Sequence, residues 1–308
     1  MSRWITREMT SIDEDQKPSL LIVGARGFVG SAVTRLAKNG HRVIRADRSR
    51  LSDETDLALD VTNEAEVQCV LRDLRPDRVV LLAAISDIDR CEREPERAWA
   101  INLRGPEHVA NACAQIGARL LFTSSGAVFD GTRIGYVESD PVSPVSVYAQ
   151  TKTAAEKVVM SLIPSGVVVR VSLVLGRAMR AGTNSLVDSL ALKWSRGETV
   201  HASAREWRNP IDAATLATWI LELIGNPGAH GIVHTGALEA ASRLEIASAL
   251  AEKMGIDPSL VKPEAAPPAG RAHRGPHQHL ISTRLSQLCV TPAPSLETVF
   301  KRSLHVIA

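Results

Sequence analysis

Short, wholly apolar runs alternate with amphipathic stretches through the first 175 residues. Positions 19–23 read Ser-Leu-Leu-Ile-Val, too short for a helix and patterned like a strand buried on both faces. A helical periodicity follows over 28–38 and is closed by Asn39-Gly40. The pair then repeats. Strands are predicted at 42–46, 78–84, 119–123 and 167–171. Helices are predicted at 64–74 and 96–116, and from Pro144 to Leu162. Unbroken alternation of this kind predicts a doubly wound parallel α/β sheet of the Rossmann type, with right-handed crossovers. Ligands on such sheets bind beyond the carboxyl ends of the strands, so chemistry-bearing residues are sought there.

Beyond 176 the rhythm loosens. Helical patterns are predicted near 184–196, 211–224, 242–254 and 295–304, with short strands at 199–202 and 231–235. The stretch 263–279 is rich in Pro, Ala, Gly, Arg and His and too long for an ordinary connection. The division expected is a loose tail at 1–18, a nucleotide-binding Rossmann domain at 19–175, and a smaller C-terminal α/β substrate-binding part at 176–308. Some chain should be exchanged between the last two.

Composition narrows the function. The chain has 308 residues, 44% hydrophobic and 23% charged, enough for a core that needs no disulfide or metal staple. A formal net charge of +2 gives no reason to expect nucleic acid or an anionic membrane as partner. Cys69, Cys91, Cys113 and Cys289 form no CxxC pair, which fits a reducing compartment and a cytoplasmic location. The charged N-terminus does not read as a signal peptide, and no apolar run approaches the length of a membrane span. Aromatic residues make up only 4%, with Tyr136 and Tyr148 the sole tyrosines, and there are 28 arginines against 8 lysines.

Between the first strand and first helix lies Gly24-Ala25-Arg26-Gly27-Phe28-Val29-Gly30. Glycines there allow a tight turn and close approach of backbone to a pyrophosphate, while the helix start offers N–H donors. The spacing is GxxGxxG. Asp47 ends the second strand, where a carboxylate can accept from a ribose hydroxyl. Arg48 and Arg50 follow, and Arg26 lies within the turn, where guanidiniums could hold a 2′-phosphate. The carboxylate points to NAD(H) and the arginines to NADP(H), with NADP(H) slightly favoured. Asp60-Val61 either meets adenine or, through Asp60, caps the next helix.

Tyr148 and Lys152 are four apart on a predicted helix and so share a face. An ammonium near a phenol favours the phenolate, and bringing a tyrosine from about 10 to about 7 takes roughly 4 kcal/mol. Such a pair can exchange a proton with a carbonyl or an alcohol. Ser124 and Ser125 end the preceding strand, with Ser125 placed to donate to a substrate oxygen. His273, His277 and His279 crowd the Pro-rich loop without a completing carboxylate or cysteine, so no metal is expected. Trp194 and Trp219 fall in helical patterns and read as core.

Together, the glycine turn, the serine strand end and Tyr148-Ala149-Gln150-Thr151-Lys152 resemble the extended short-chain dehydrogenase/reductase family, and more narrowly its dTDP-4-dehydrorhamnose reductase branch. The narrower likeness rests on Val128-Phe129-Asp130-Gly131, on 136–141, on Pro144 with Val147-Tyr148, on Arg208-Asn209-Pro210-Ile211 and on Ser242-Arg243-Leu244-Glu245. The resemblance implies an NAD(P)H-dependent oxidoreductase that reduces a nucleotide-linked 4-keto-6-deoxysugar. Ser125 and Tyr148 would hold and protonate the keto oxygen, and Lys152 would tune Tyr148 and bind the nicotinamide ribose. Asn102 would keep the active site ordered, and Ala83 and Ala84 would lie against the cofactor. Arg208 leads the candidates for the substrate's phosphates, ahead of Arg205, Arg271 and Arg274. A homodimer is implied by analogy.

The branch usually carries Ser-Thr-Asp-Tyr where this chain has Ser124, Ser125, Gly126 and Ala127, and often aromatics at Leu173 and Leu175. These departures imply a related keto sugar or another bulky ketone, and the missing acid at 126 and 127 argues against a 4,6-dehydratase. Two other functions fit the same scaffold: a non-catalytic, NADP-binding regulatory subunit, and a nucleotide-sugar epimerase that recycles its cofactor.

Overall fold

The apolar run at 19–23 forms strand β1 (Ser19–Val23), with all five residues buried. The structure is a computed structural model and describes residues 16–48, 56–180 and 182–307. Most of the predicted tail and Arg50 therefore lie outside the described residues. After β1 come α1 (Phe28–Ala37), β2 (Arg42–Asp47), β3 (Asp56–Ala58), α2 (Glu64–Leu74), β4 (Arg78–Leu81), α3 (Ile88–Arg93), α4 (Pro95–Trp99), α5 (Gly105–Ile116) and β5 (Arg119–Ser125). Next are α6 (Val147–Leu162), β6 (Val167–Val171), β7 (Leu173–Leu175), α7 (Leu186–Ser195), β8 (Val200–Ala202), β9 (Trp207–Arg208), β10 (Pro210–Asp212), α8 (Ala213–Gly225) and β11 (Gly231–Thr235). The chain closes with β12 (Ala241–Ser242), α9 (Arg243–Lys253), β13 (Val261–Pro263), β14 (His277–Gln278), α10 (Leu285–Leu288) and α11 (Leu296–Ser303).

Among the described residues the main sheet has seven strands in the order β11-β6-β5-β4-β1-β2-β3. Every pairing is parallel. The order reverses between β1 and β4, which opens a crevice at their carboxyl ends. One apolar layer packs Val33, Leu121, Val169 and Trp219 against one face, and another packs Leu71, Val109, Phe122 and Val159 against the other. The second part of the chain returns to this sheet, since α8 packs on α1 and β11 pairs with β6 in register from Gly231↔Val167. Trp194 and Trp219 are buried, as their periodicity suggests.

Three of the boundaries that differ from the sequence reading have a clear local reason. The helix expected over 96–116 contains a π turn at Ala100–Arg104, where Gly105 N–H bonds to Ala100 O. Pro106, in the first turn of α5, has no N–H to give to an α-helical bond. The strand expected over 78–84 ends at Leu81, and the amides of Leu82 and Ala83 both turn to Val23 O. The helix expected from Pro144 starts at Val147, because the Ser146 side chain accepts from Ala149 N and caps it there.

Candidate active site

An open cleft of about 1150 Å³ lies along the carboxyl ends of β1, β4, β5 and β6. Of the predicted site residues that the structure describes, only Asn102, Arg205 and Arg271 do not line it. The glycine turn forms its floor. Gly24 has φ +87°, and a Cβ there would come within 2.7 Å of Ala83 N. A Cβ on Gly30 would stand 2.1 Å from Gly24 O, so only glycine lets α1 begin so close to the turn. No side chain caps the start of α1, at Gly27. This cradle of close backbone and an uncapped helix start suits the pyrophosphate of a dinucleotide.

Asp47 sits at the end of β2. One oxygen accepts from Arg26 N at 3.2 Å and the other from Arg48 N at 2.9 Å. The carboxylate thus ties the glycine turn to β2. Asp60 accepts from Thr62 N at 2.9 Å and Thr62 Oγ1 at 2.7 Å, and these bonds hold its pKa below the usual carboxylate value. The cap of α2 is Asn63, whose side chain accepts from Glu66 N, so Asp60 does not serve as that cap.

Ser125, Tyr148 and Lys152 converge on the cleft from β5 and α6. Ser124 is buried, and its hydroxyl has no hydrogen-bond partner among the described residues. Ser125 accepts from Ala127 N at 3.2 Å and lies beside the Tyr148 phenol. Burial pushes the Tyr148 pKa up to about 12, with Ser125 pulling the other way. Burial likewise pushes Lys152 down to about 7, opposed by Glu156. The sequence argument expected the lysine to lower the tyrosine. Desolvation wins for both groups, and the Lys152 ammonium lies 4.2 Å from the centre of the Phe122 ring. Tyr148 is therefore a neutral phenol, the form that can donate a proton.

Asn102 stands behind the cleft, fully buried on the π turn. Its side chain accepts from Ile85 N at 2.8 Å and donates to Ile85 O at 3.0 Å and Thr151 Oγ1 at 3.4 Å. It fixes the 82–87 segment, which carries Ala83 and Ala84, and joins it to the helix bearing Tyr148.

The far wall comes from the second part of the chain. Arg208 is buried and donates to Trp207 O at 2.7 Å and Pro276 O at 3.0 Å, and burial lowers its pKa to about 10. Glu206 pairs with Arg208 at 3.3 Å and with Arg271 at 2.7 Å. Arg271 also pairs with Glu264 at 3.1 Å, and Arg274 makes a fork to Asp89 on α3 at 2.8 and 3.0 Å. A second cavity of about 390 Å³ adjoins this wall and is lined by His201, Arg243 and Arg271. Arg205 is exposed and lines neither cavity. Sequence reasoning gave no role to Arg243, Gln278, Asn184 or Ser86, all of which line the cleft. Arg243 lay within a motif already singled out, but the others carried no signal. Leu173 lines the cleft, whereas Leu175 is buried away from it.

A family model described as the RmlD substrate binding domain matches residues 18–308. The chain belongs to this family. Within the RmlD family, dTDP-4-dehydrorhamnose reductase of Mycobacterium tuberculosis (strain H37Rv) is 31% identical over 281 residues, covering 89% of this chain and 88% of the relative. Methionine adenosyltransferase 2 subunit beta of Xenopus laevis is 29% identical over 273 residues, covering 87% and 81%. The crystal structure of dTDP-4-dehydrorhamnose reductase from Bacillus anthracis in complex with NADP superposes with a TM-score of 0.84 at 26% identity, covering 94% of this chain and 99% of that one. Among the described residues no helix is long and apolar enough to cross a membrane.

Proposed function

We propose that this RmlD-family protein is an NAD(P)H-dependent reductase of a nucleotide-linked 4-keto-6-deoxysugar. The observation that carries the reading is the convergence of Ser125, Tyr148 and Lys152 on a cleft floored by the glycine cradle. The bound cofactor supplies the hydride. Ser125 orients the keto oxygen and Tyr148, a neutral phenol at physiological pH, gives it a proton. Lys152 holds the nicotinamide ribose and stabilises the phenolate left behind. Arg208, Arg243, Arg271 and Arg274 supply the cationic wall for the substrate's phosphates. NADPH is the favoured donor, since Arg26 and Arg48 line the cleft where a 2′-phosphate would lie. The relatives and the NADP-bound structure support this class of chemistry.

The Xenopus relative favours a second reading, in which the cleft binds a dinucleotide and the chain serves as a regulatory subunit. The test is to follow NADPH and NADH absorbance with a panel of dTDP- and UDP-linked 4-keto-6-deoxysugars. Stoichiometric oxidation supports the reductase, and Tyr148→Phe should then lower kcat by about 10²–10⁴ with cofactor affinity unchanged. Cofactor binding without turnover on any sugar favours the regulatory reading. Product formed without net oxidation indicates an epimerase.

A further inference from the structure

On helix α6 the residues Tyr148, Lys152 and Glu156 follow one another at intervals of four, so all three lie on one face. The first two have roles in the reading above. Glu156 is also buried, although it cannot reach solvent to meet the cost of its charge. Its partner is Arg170 on β6, which is equally buried. The two form a fork, Arg170 Nε to Glu156 Oε1 at 2.9 Å and Arg170 NH2 to Glu156 Oε2 at 2.7 Å.

We propose that Glu156 and Arg170 are a positioning pair that anchors α6 to the sheet and holds Lys152 in its working place within the cleft. The proposal rests on the reading of Lys152 as a working residue, and it extends that reading to two residues that touch neither substrate nor cofactor. Stability is a weak explanation for the pair, because well-packed apolar residues commonly serve as well as a buried ion pair. Geometry supplies a better one. Arg170 stands opposite Ser124 in the β5–β6 register, so the fork anchors α6 to the sheet at the level of the serine strand end. The remaining Arg170 nitrogen meets His234 Nε2 at 3.3 Å, and its guanidinium carbon lies 5.1 Å from the centre of the Phe129 ring. The arginine cannot swing toward Lys152 without breaking these contacts.

The charged and titratable groups facing Lys152 are few. Tyr148 and Glu156 come from its own helix, Cys91 comes from α3, and Arg170 acts on it from β6 through Glu156. Burial favours the neutral amine, and Glu156 is the largest influence that opposes burial. Arg170 keeps that buried carboxylate ionised. The pair therefore holds the amine near its balance point.

This predicts the same response to two substitutions at different residues. In Glu156→Gln, Lys152 loses its carboxylate, so its titration midpoint falls. In Arg170→Met, the buried carboxylate loses its counter-charge and takes up a proton, so it no longer supports the ammonium and the midpoint falls again. The shift in Glu156→Gln should be about one pH unit or more, for side chains whose Cβ atoms stand about 6 Å apart in an effective dielectric near 20. The measurement is an NMR titration of the protein labelled with ¹⁵N-lysine, with Lys152→Met identifying the signal, alongside the pH dependence of NADPH affinity. Downward shifts in both variants support the pair, and Arg170→Lys, which keeps a cation beside Glu156, should restore most of the midpoint. An unmoved midpoint in either variant, or no restoration by Arg170→Lys, overturns it, since loss of packing alone gives no reason for rescue by charge. If either single variant fails to fold, Glu156→Met with Arg170→Met decides. It removes both charges and keeps most of the volume, and an unchanged Lys152 midpoint overturns the proposal. No substrate is needed. An inactive wild-type enzyme would count against the reductase reading and leave this result standing. Unmoved midpoints in an active enzyme would sink the pair alone.

Discussion

Replacing Asn102 with alanine removes a side chain that does not line the cleft, and it should nonetheless weaken both the fold and the cofactor site. The amide is fully buried and serves both polar groups of Ile85, accepting from its N–H at 2.8 Å and donating to its carbonyl at 3.0 Å. Ile85 is itself buried, so water cannot readily replace the lost partner. A buried backbone group left unpaired costs about 1–3 kcal/mol. Two such groups and the small cavity left behind put the total at roughly 3–5 kcal/mol. For a chain of this size each kcal/mol moves the melting temperature by about 2–4 °C, so a fall of about 6–20 °C is expected. The 82–87 segment would loosen with it, and because Ala83 and Ala84 line the cleft, the Kd for NADPH should rise. Calorimetry with and without NADPH measures the first effect, and fluorescence titration of NADPH the second. A variant within about 0.5 kcal/mol of the parent would refute the reasoning, because it would show that Ile85 finds other partners at no cost.

Two further outcomes follow from the same geometry. Gly30→Ala places a Cβ 2.1 Å from Gly24 O, so the turn must shift, and NADPH affinity should fall by at least about tenfold while the melting temperature of the free protein drops by a few degrees; unchanged affinity in a binding titration would contradict the pyrophosphate cradle. Lys152 titrates near 7 in the folded chain against an ordinary 10.5, so between those values the unfolded chain holds a proton that the folded chain lacks, and this lysine's contribution to stability rises with pH. Lys152→Met removes the buried amine. In urea unfolding it should therefore gain most over the parent near pH 6 and progressively less toward pH 9, and a gap independent of pH would show that Lys152 does not titrate in this window.

What could be read from the sequence, and what could not, divides by range. The strand, glycine turn and helix at 19–38 are all local, and so is the four-residue step from Tyr148 to Lys152. Periodicity and spacing find such features without knowing what lies across the sheet. The direction of the Tyr148 shift was not legible, because it depends on how deeply the phenol is buried and on where the ammonium rests. Spacing shows only that the two share a face. The role of Asn102 was named but not its means. Its target, Ile85, lies 17 residues back, just beyond a segment that the apolar pattern assigned to a strand. The placement of β11 beside β6 was equally out of reach, since 231–235 reads as an ordinary short strand wherever it pairs.

The arginine wall is the extreme case, and its range explains its form. Arg274 reaches Asp89 across 185 residues, and Arg271 joins Glu206 to Glu264. In the sequence these are scattered charges that read as solvated surface. In the fold the guanidiniums of Arg208, Arg271 and Arg274 are each already oriented by a carboxylate or carbonyl before any anion arrives. A free arginine side chain would lose about 0.5–1.5 kcal/mol of rotamer freedom when it gripped a phosphate, and these have lost much of it on folding. The carboxylates also keep the wall from repelling itself, since Arg208, Arg243, Arg271 and Arg274 each act on a neighbour within the cluster. Glu206 is central to this balance because it pairs with two of them at once. A diphosphate entering the cleft would then meet fixed N–H donors with spare valence, and the carboxylates that hold those donors would limit how tightly the product is kept.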